Sequence, residues 1–378
     1  MAHPLLAAVG ALICCAAAPA SAAAAVKPCP PSGASCSLAA VARQTGIFVG
    51  SSLSNQMTAT ELADIKANFN AVTSADAFKW SEMSNSADRL DFATTDRIVA
   101  WSARNKLRLR AHNLLWHRMQ LPSWLASDLA ASPDPAKRLR TLIAARIAKV
   151  VGRYRGKVAI WDVINEPLAL FGAGYDIQSS ALTDKNIFYT TLGERYIADA
   201  FRQAHKADPK AKLFLNELLW DVRIGDAKSD SLLALIGRLK KAGVPIDGVG
   251  IQAHAMLGVS SPWFPSNTAS LKRYIDALGK LGVKAEITEL DVRLPLLAGK
   301  PDPLAAQAAV YRRVASACAQ AKACSGLTVW GQRDSDSWLD SYSLTSATAP
   351  NNPLLLNAWG QRKPAYRAVA AGLLERRR

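Results

Sequence analysis

Short apolar runs recur along the chain, with room for one amphipathic helix between most neighbouring pairs. They are Ile47-Phe48-Val49, Phe69-Asn70-Ala71-Val72, Leu107-Arg108-Leu109-Arg110, Val158-Ala159-Ile160-Trp161, Leu213-Phe214-Leu215, Gly248-Val249-Gly250-Ile251, Ala285-Glu286-Ile287 and Leu327-Thr328-Val329-Trp330. Between them, apolar positions repeat with helical spacing over 136–150, 192–207, 231–242, 267–281 and 303–321, each followed by a Gly, Pro or Asp break. Strand and helix in alternation predict parallel βαβ units, and eight such units fit a closed barrel better than an open doubly wound sheet. The fold class is therefore α/β, a (β/α)8 TIM barrel in a single domain over 45–370. No GxGxxG or GxxxxGK[ST] follows any run, so a nucleotide-binding fold loses its support. The longest irregular stretches, 171–183, 257–267 and 334–353, each follow a strand end, where a barrel builds its active face.

Composition changes the picture in two places. The chain has 378 residues with a formal charge of +16, 50% hydrophobic and 20% charged residues, which excludes disorder and raises polyanions as partners. The N-terminus speaks to compartment: an apolar stretch from Leu5 to Ala18 is followed by Pro19 and Ala20-Ser21-Ala22. It is shorter than the roughly 20 residues of a spanning helix and ends in a small-residue site, so residues 1–22 read as a secretory signal. No Lys or Arg precedes the run, which leaves an uncleaved anchor as the alternative. A leader then covers 23–44 and a basic tail 371–378. The expected location is secreted or periplasmic, with no stable membrane association.

Outside the signal, the cysteines fall into two local pairs, Cys29 with Cys36 and Cys318 with Cys324. In an exported chain such pairs argue for disulfides, and the spacing of a metal site is missing. Six residues along a helix rise roughly 9 Å, more than the Cα separation of about 7 Å that a disulfide tolerates. The helix holding Cys318 is thus expected to end before Cys324, at about Lys322.

Chemistry is expected at the C-terminal strand ends. Asp162-Val163-Ile164-Asn165-Glu166-Pro167 follows the fourth run and Thr288-Glu289-Leu290-Asp291 the seventh. Two glutamates at two strand mouths can converge, and paired carboxylates are what glycoside hydrolysis requires; a structural salt bridge is the alternative for either one alone. Asn165 is placed to hydrogen-bond a sugar hydroxyl. His254, two residues beyond Gln252, can reach Glu289, with Asp291 orienting its ring. His112, Trp116 and His117 follow the third run, while Trp330 ends the eighth and Trp338 follows it, and Trp faces stack on pyranose rings as readily as they pack in cores.

Together these segments resemble glycoside hydrolase family 10, the family of retaining endo-β-1,4-xylanases. The resemblance is carried by Phe78-Lys79-Trp80, the stretch from Arg110 to His117 with Leu121 to Trp124, WDVINEP from Trp161 to Pro167, GVGIQAH from Gly248 to His254, ITELDV from Ile287 to Val292, Val329-Trp330-Gly331 with Trp338, and Lys363 to Tyr366. It implies Glu166 as acid/base and Glu289 as nucleophile, with carboxyls about 5 Å apart. It also implies that Lys79, His112, Trp116, Asn165, Gln252, His254 and Trp330 line the sugar subsite at the cleavage point, with Trp338 covering it. The Cys318 and Cys324 pair resembles a family disulfide as well.

Three positions depart from the family pattern. Ala75-Asp76 stands where the family has Glu-Asn, and Asn216-Glu217-Leu218 where it has Asn-Asp-Tyr. The segment Arg118-Met119-Gln120 is one residue longer than usual. Arg118, Arg223, Arg293 and Arg333 fall in mouth-side loops and could favour a polymer bearing uronic acids, or could be scattered solvated arginines. The expected activity is internal cleavage of β-1,4-xylosidic bonds by double displacement, with the same chemistry on another β-linked, acidic polysaccharide as the runner-up. A non-catalytic sugar-binding barrel and a basic nucleic-acid protein are weaker alternatives, since both glutamates are present and no nucleic-acid motif is. A polysaccharide is the expected partner of a monomer that needs no cofactor, no metal and no nucleic acid.

Overall fold

The computed structural model describes residues 1, 29–33, 36–169, 186–219, 221–255, 267–341 and 350–376. Nearly all of the signal segment, the stretches 171–183 and 257–266, part of 334–353 and the last two arginines of the tail lie outside the described residues.

Ten strands share one sheet: β1 Phe48–Leu53, β2 Ala71–Ser74, β3 Arg108–Ala111, β4 Leu115–Trp116, β5 Ile160–Asn165, β6 Lys212–Glu217, β7 Gly248–Ile251, β8 His254–Ala255, β9 Lys284–Val292 and β10 Cys324–Val329. The order β10-β1-β2-β3-β5-β6-β7-β9, closed by a β9–β10 pairing, is a barrel of eight parallel staves. β4 continues the β3 stave along β5, and β8 continues β7 along β9. Helices join the staves, among them Ala93–Arg104, Pro135–Arg153, Ala227–Lys241, Thr268–Lys280 and Pro303–Gln320.

All eight predicted runs are staves, but their ends differ. β5 extends to Asn165 and β9 to Val292, so Glu289 sits inside its strand rather than beyond it. A pattern reading stops at a polar residue, whereas inside a barrel a polar side chain is tolerated when facing staves supply its partners. Asp162 illustrates this. Its Oδ2 accepts from Arg110 Nε at 2.9 Å and its Oδ1 from Nη2 at 2.5 Å. Arg110 Nη1 also reaches Glu286 Oε2 at 3.0 Å, and Arg108 Nη1 reaches Oε1 at 2.9 Å.

Space for this ionic layer comes from glycine. A Cβ at Gly248 would lie 2.3 Å from the Phe214 ring, and the Arg110 guanidinium lies 4.7 Å above that ring. A Cβ at Gly250 would lie 2.1 Å from Asn216 Oδ1. The run Gly248-Val249-Gly250-Ile251 thus buries Val249 and Ile251 fully, while its glycines leave room inside the barrel.

Both cysteine pairs are disulfides, with Cα separations of 5.9 Å for Cys29–Cys36 and 5.2 Å for Cys318–Cys324. The helix carrying Cys318 ends at Gln320, slightly ahead of the expected Lys322. Among the described residues no helix is long and apolar enough to cross a membrane.

Candidate active site

Backbone pairing sets the catalytic-face side chains at one level. The Glu166 amide donates to Asn216 O at 2.9 Å, Gln252 to Glu217 O at 3.1 Å, Glu289 to Gln252 O at 2.8 Å and Trp330 to Leu290 O at 3.1 Å. Glu166 itself has φ of 51°, in the left-handed region that a non-glycine residue seldom occupies. The chain turns there out of β5, and the neighbouring mouth residues hold the carboxylate.

Four groups converge on Glu166. Its Oε1 accepts from Gln252 Nε2 at 2.7 Å and from Asn165 Nδ2 at 3.4 Å. Its Oε2 accepts from Trp116 Nε1 at 3.2 Å and pairs with Arg118 Nε at 3.1 Å. Glu289 is held differently: Asn216 Nδ2 donates to Oε1 at 2.7 Å and His254 Nε2 lies 3.1 Å from Oε2. His254 Nδ1 lies 2.8 Å from Asp291 Oδ2, which also accepts from Trp338 Nε1 at 3.0 Å. Asn216 Nδ2 further donates to Asn165 Oδ1 at 2.8 Å, so amides join the two glutamates into one network.

Charge fixes the state of the Glu289 half. Burial alone would disfavour a charged His254, but Asp291 and Glu289 outweigh it and raise the ring to about 10, leaving an imidazolium that donates from both nitrogens. Burial also pushes Glu289 up. The hydrogen bond from His254, the charges of His112 and His254 and the Asn216 amide more than reverse this, and the carboxyl ends below its ordinary value. Glu289 is therefore an anion at neutral pH. Asp162, raised by burial but lowered further by Arg110 and His112, is likewise anionic and accepts from His112 Nδ1 at 3.0 Å.

The aromatic residues close around this centre. The His112 ring meets Trp330 edge-on at 5.5 Å, and His254 lies 5.0 Å from Trp338 and 6.4 Å from Trp330. Lys79 Nζ sits 5.0 Å over the Trp116 ring and pairs with Asp76 at 2.7 Å. Lys79, His112, Trp116, Asn165, Gln252, His254, Asp291, Trp330 and Trp338 are thus all brought together with Glu166 and Glu289.

Sequence reasoning missed Asn216, the link between Asn165 and Glu289. Its signal was present, since Asn216 ends the run Leu213-Phe214-Leu215 as Asn165 ends the fourth stave. Glu217 proves structural: fully buried, it pairs with Lys228 at 3.0 Å and accepts the Leu168 amide at 3.1 Å, pinning the segment just after Glu166. Three of the four mouth-side arginines hold other partners. Arg223 pairs with Asp221, Arg333 with Asp64, and Arg293 donates to Asn351. Arg118 is the one that reaches a catalytic-face glutamate.

A parallel barrel with two buried glutamates, one anionic beside an imidazolium, set among Trp, His and amide side chains, is the arrangement of a barrel glycoside hydrolase. The comparisons agree. The profile described as Glycosyl hydrolase family 10 matches residues 37–372, and the chain belongs to that family. It is 35% identical over 317 residues to "Endo-1,4-beta-xylanase A" of Phanerodontia chrysosporium, covering 83% of this chain and 70% of that one. With "Endo-1,4-beta-xylanase 3" of Hypocrea jecorina (strain QM6a) it shares 33% over 314 residues, covering 83% and 78%. The crystal structure of native xylanase 10B from Thermotoga maritima superposes with a TM-score of 0.77 at 29% identity, over 90% of this chain and 98% of that one.

Proposed function

We propose that this protein is a secreted, retaining endo-β-1,4-xylanase in which Glu289 is the nucleophile and Glu166 the acid/base. The observation that carries the assignment is the setting of Glu289, and Glu166 takes the second role as the facing carboxylate at the mouth. Glu289 is fixed as an anion by an imidazolium and an amide, whereas Glu166 faces the mouth among Gln252, Trp116 and Arg118. In the first step a Glu289 oxygen bonds to the anomeric carbon, the glycosidic C–O bond breaks, and the Glu166 proton passes to the departing oxygen. In the second, Glu166 takes a proton from water, whose oxygen displaces Glu289 and releases a sugar with its original anomeric configuration. Lys79, His112, Asn165 and Gln252 bond the sugar hydroxyls, His254 spends both its N–H groups on Asp291 and Glu289 and so holds the nucleophile, and Trp116, Trp330 and Trp338 shape the walls. The names of the similar proteins support xylan as the polymer.

The test is reducing-end release from xylan, with the first-formed anomer followed by NMR and Glu289→Ala as blank. Retained configuration and release by the native protein alone are expected. A first product of inverted configuration would refute the double displacement.

Arg118 favours a narrower reading of the substrate. A cation ion-paired with the acid/base at 3.1 Å lies on the side where the departing sugar would leave, within reach of a uronate carboxylate on that sugar. Arg118→Gln is then expected to lower kcat/KM on glucuronoxylan more than on undecorated xylan. Equal losses would leave Arg118 a positioning residue for Glu166.

A further inference from the structure

Trp359 stands outside the site and is 80% exposed, far above the other exposed large hydrophobics in the folded, described part of the barrel. It is nevertheless held in place. Asn357 Oδ1 accepts the amides of Trp359 at 3.0 Å and Gln361 at 2.9 Å, and the Asn357 and Gly360 amides close the turn on Gln361 O and Asn357 O, each at 2.9 Å. Gly360, with φ of 80°, makes the turn possible, and a Cβ there would lie 2.7 Å from Arg333 Nη2. Arg333 is in turn anchored to Asp64. Leu356, at the base of the turn, pairs with the 332–334 segment that follows β10, and Arg362, just past the turn, donates to Asn68 at 3.2 Å, so the turn is tied down on both sides.

We propose that Trp359 is a second sugar-binding platform, on which a xylan chain stacks outside the catalytic cleft; this rests on the glycan-hydrolase reading above. An indole presented on a rigid turn offers its face without an ordering cost on binding. The groups around it are polar: the Arg333–Asp64 pair, Asn357 and Gln361 can bond the hydroxyls that ring a pyranose, while the indole takes its C–H face. A protein partner would need a wider apolar surface than one indole among polar neighbours. A lone ring suits a polymer, which gains from many weak, repeated contacts.

Adsorption isotherms on insoluble xylan separate the platform from the cleft, using Glu289→Ala and Glu289→Ala/Trp359→Ala so that no polymer is consumed. The second variant is expected to bind about tenfold more weakly, the factor that roughly 1.4 kcal/mol of stacking represents, and Glu289→Ala/Trp359→Phe to restore part of the loss. In the active protein, Trp359→Ala leaves kcat and KM on an aryl xylobioside unchanged and slows only the insoluble substrate. Identical isotherms, or a parallel loss on the short substrate, would overturn the platform. If instead the native protein turned over neither substrate, the catalytic reading would fail, while the isotherms would still report on Trp359.

Discussion

Asp291→Asn isolates the charge that conditions the nucleophile. His254 bridges Asp291 and Glu289 at 2.8 and 3.1 Å and is raised from 6.5 to about 10 against the opposing effect of burial. That rise corresponds to about 5 kcal/mol in favour of the charged ring. Burial opposes that rise and Asp291 is the larger of the two charges behind it, so removing the Asp291 charge forfeits at least half, on the order of 2 kcal/mol or more, or about 1.5 pH units at the least. Asn keeps the shape and can still accept from Trp338 Nε1. The ring should therefore lose its proton at lower pH in the variant, and Glu289 then keeps a neutral hydrogen bond but not the adjacent cation. The assay is kcat/KM against pH on an aryl xylobioside with a good leaving group, where departure needs no proton from Glu166. The alkaline limb of the variant should fall at least about 1.5 units earlier than that of the native protein, with the rates closest at acid pH. Stability follows the same sign. A group raised in the fold contributes fully below 6.5 and loses that contribution as pH climbs through about 10, so native stability should decline over that alkaline interval and the variant's should decline less. A uniform rate loss at every pH, with the limb unmoved, would refute the electrostatic account and reduce Asp291 to packing.

Glu289→Ala should abolish turnover, while Glu166→Ala should slow substrates with poor leaving groups far more than activated aryl glycosides; equal losses in steady-state kinetics on both types would remove the acid role. Gly250→Ala places a Cβ 2.1 Å from Asn216 Oδ1 and 2.9 Å from Thr288 Cγ2. The overlap should cost about 1 to 3 kcal/mol in a urea titration. By turning Asn216 away from Glu289 it should also cost kcat/KM roughly tenfold or more, as loss of a hydrogen bond to a charged group does. Unaltered kinetics in the folded variant would show that Asn216 does not act on the nucleophile.

The staves were legible because period and length suffice to mark a buried strand, and the ends were not because their polar residues are satisfied only across the barrel. Leu213-Phe214-Leu215 is readable as apolar; that Asn216 continues the strand and bonds Glu289 depends on Thr288 donating to its Oδ1 at 2.7 Å, a partner 72 residues away. Arg118 shows the same limit. Its place in a mouth-side loop follows from the sequence, but its pairing with Glu166 requires β4 to lie along β5 with Trp116 opposite Asn165. Glu166, Glu289, Asn165, Gln252 and His254 were readable because each sits in a run whose local order already fixes its level at the mouth.

The polar groups between Asp76 and Glu166 form one connected set. Where the family's Glu-Asn would stand, Ala75 offers no polar group and Asp76 offers one carboxylate. Burial raises Asp76, yet the Lys79 charge lowers it further, so it is an anion with Oδ1 bonded to Lys79 Nζ at 2.7 Å. The same oxygen accepts from Gln120 Nε2 at 3.3 Å. Gln120 belongs to the 118–120 segment, and its φ of 57° together with its carbonyl bond to the Ser81 amide at 3.0 Å holds it against the Lys79 helix start. The 118–120 segment therefore places an amide beside the Asp76–Lys79 pair. It also carries Arg118 to Glu166 on the other side of Trp116. One short segment thus supplies a polar group to Asp76 through Gln120 and a cation to Glu166 through Arg118, on the two sides of Trp116.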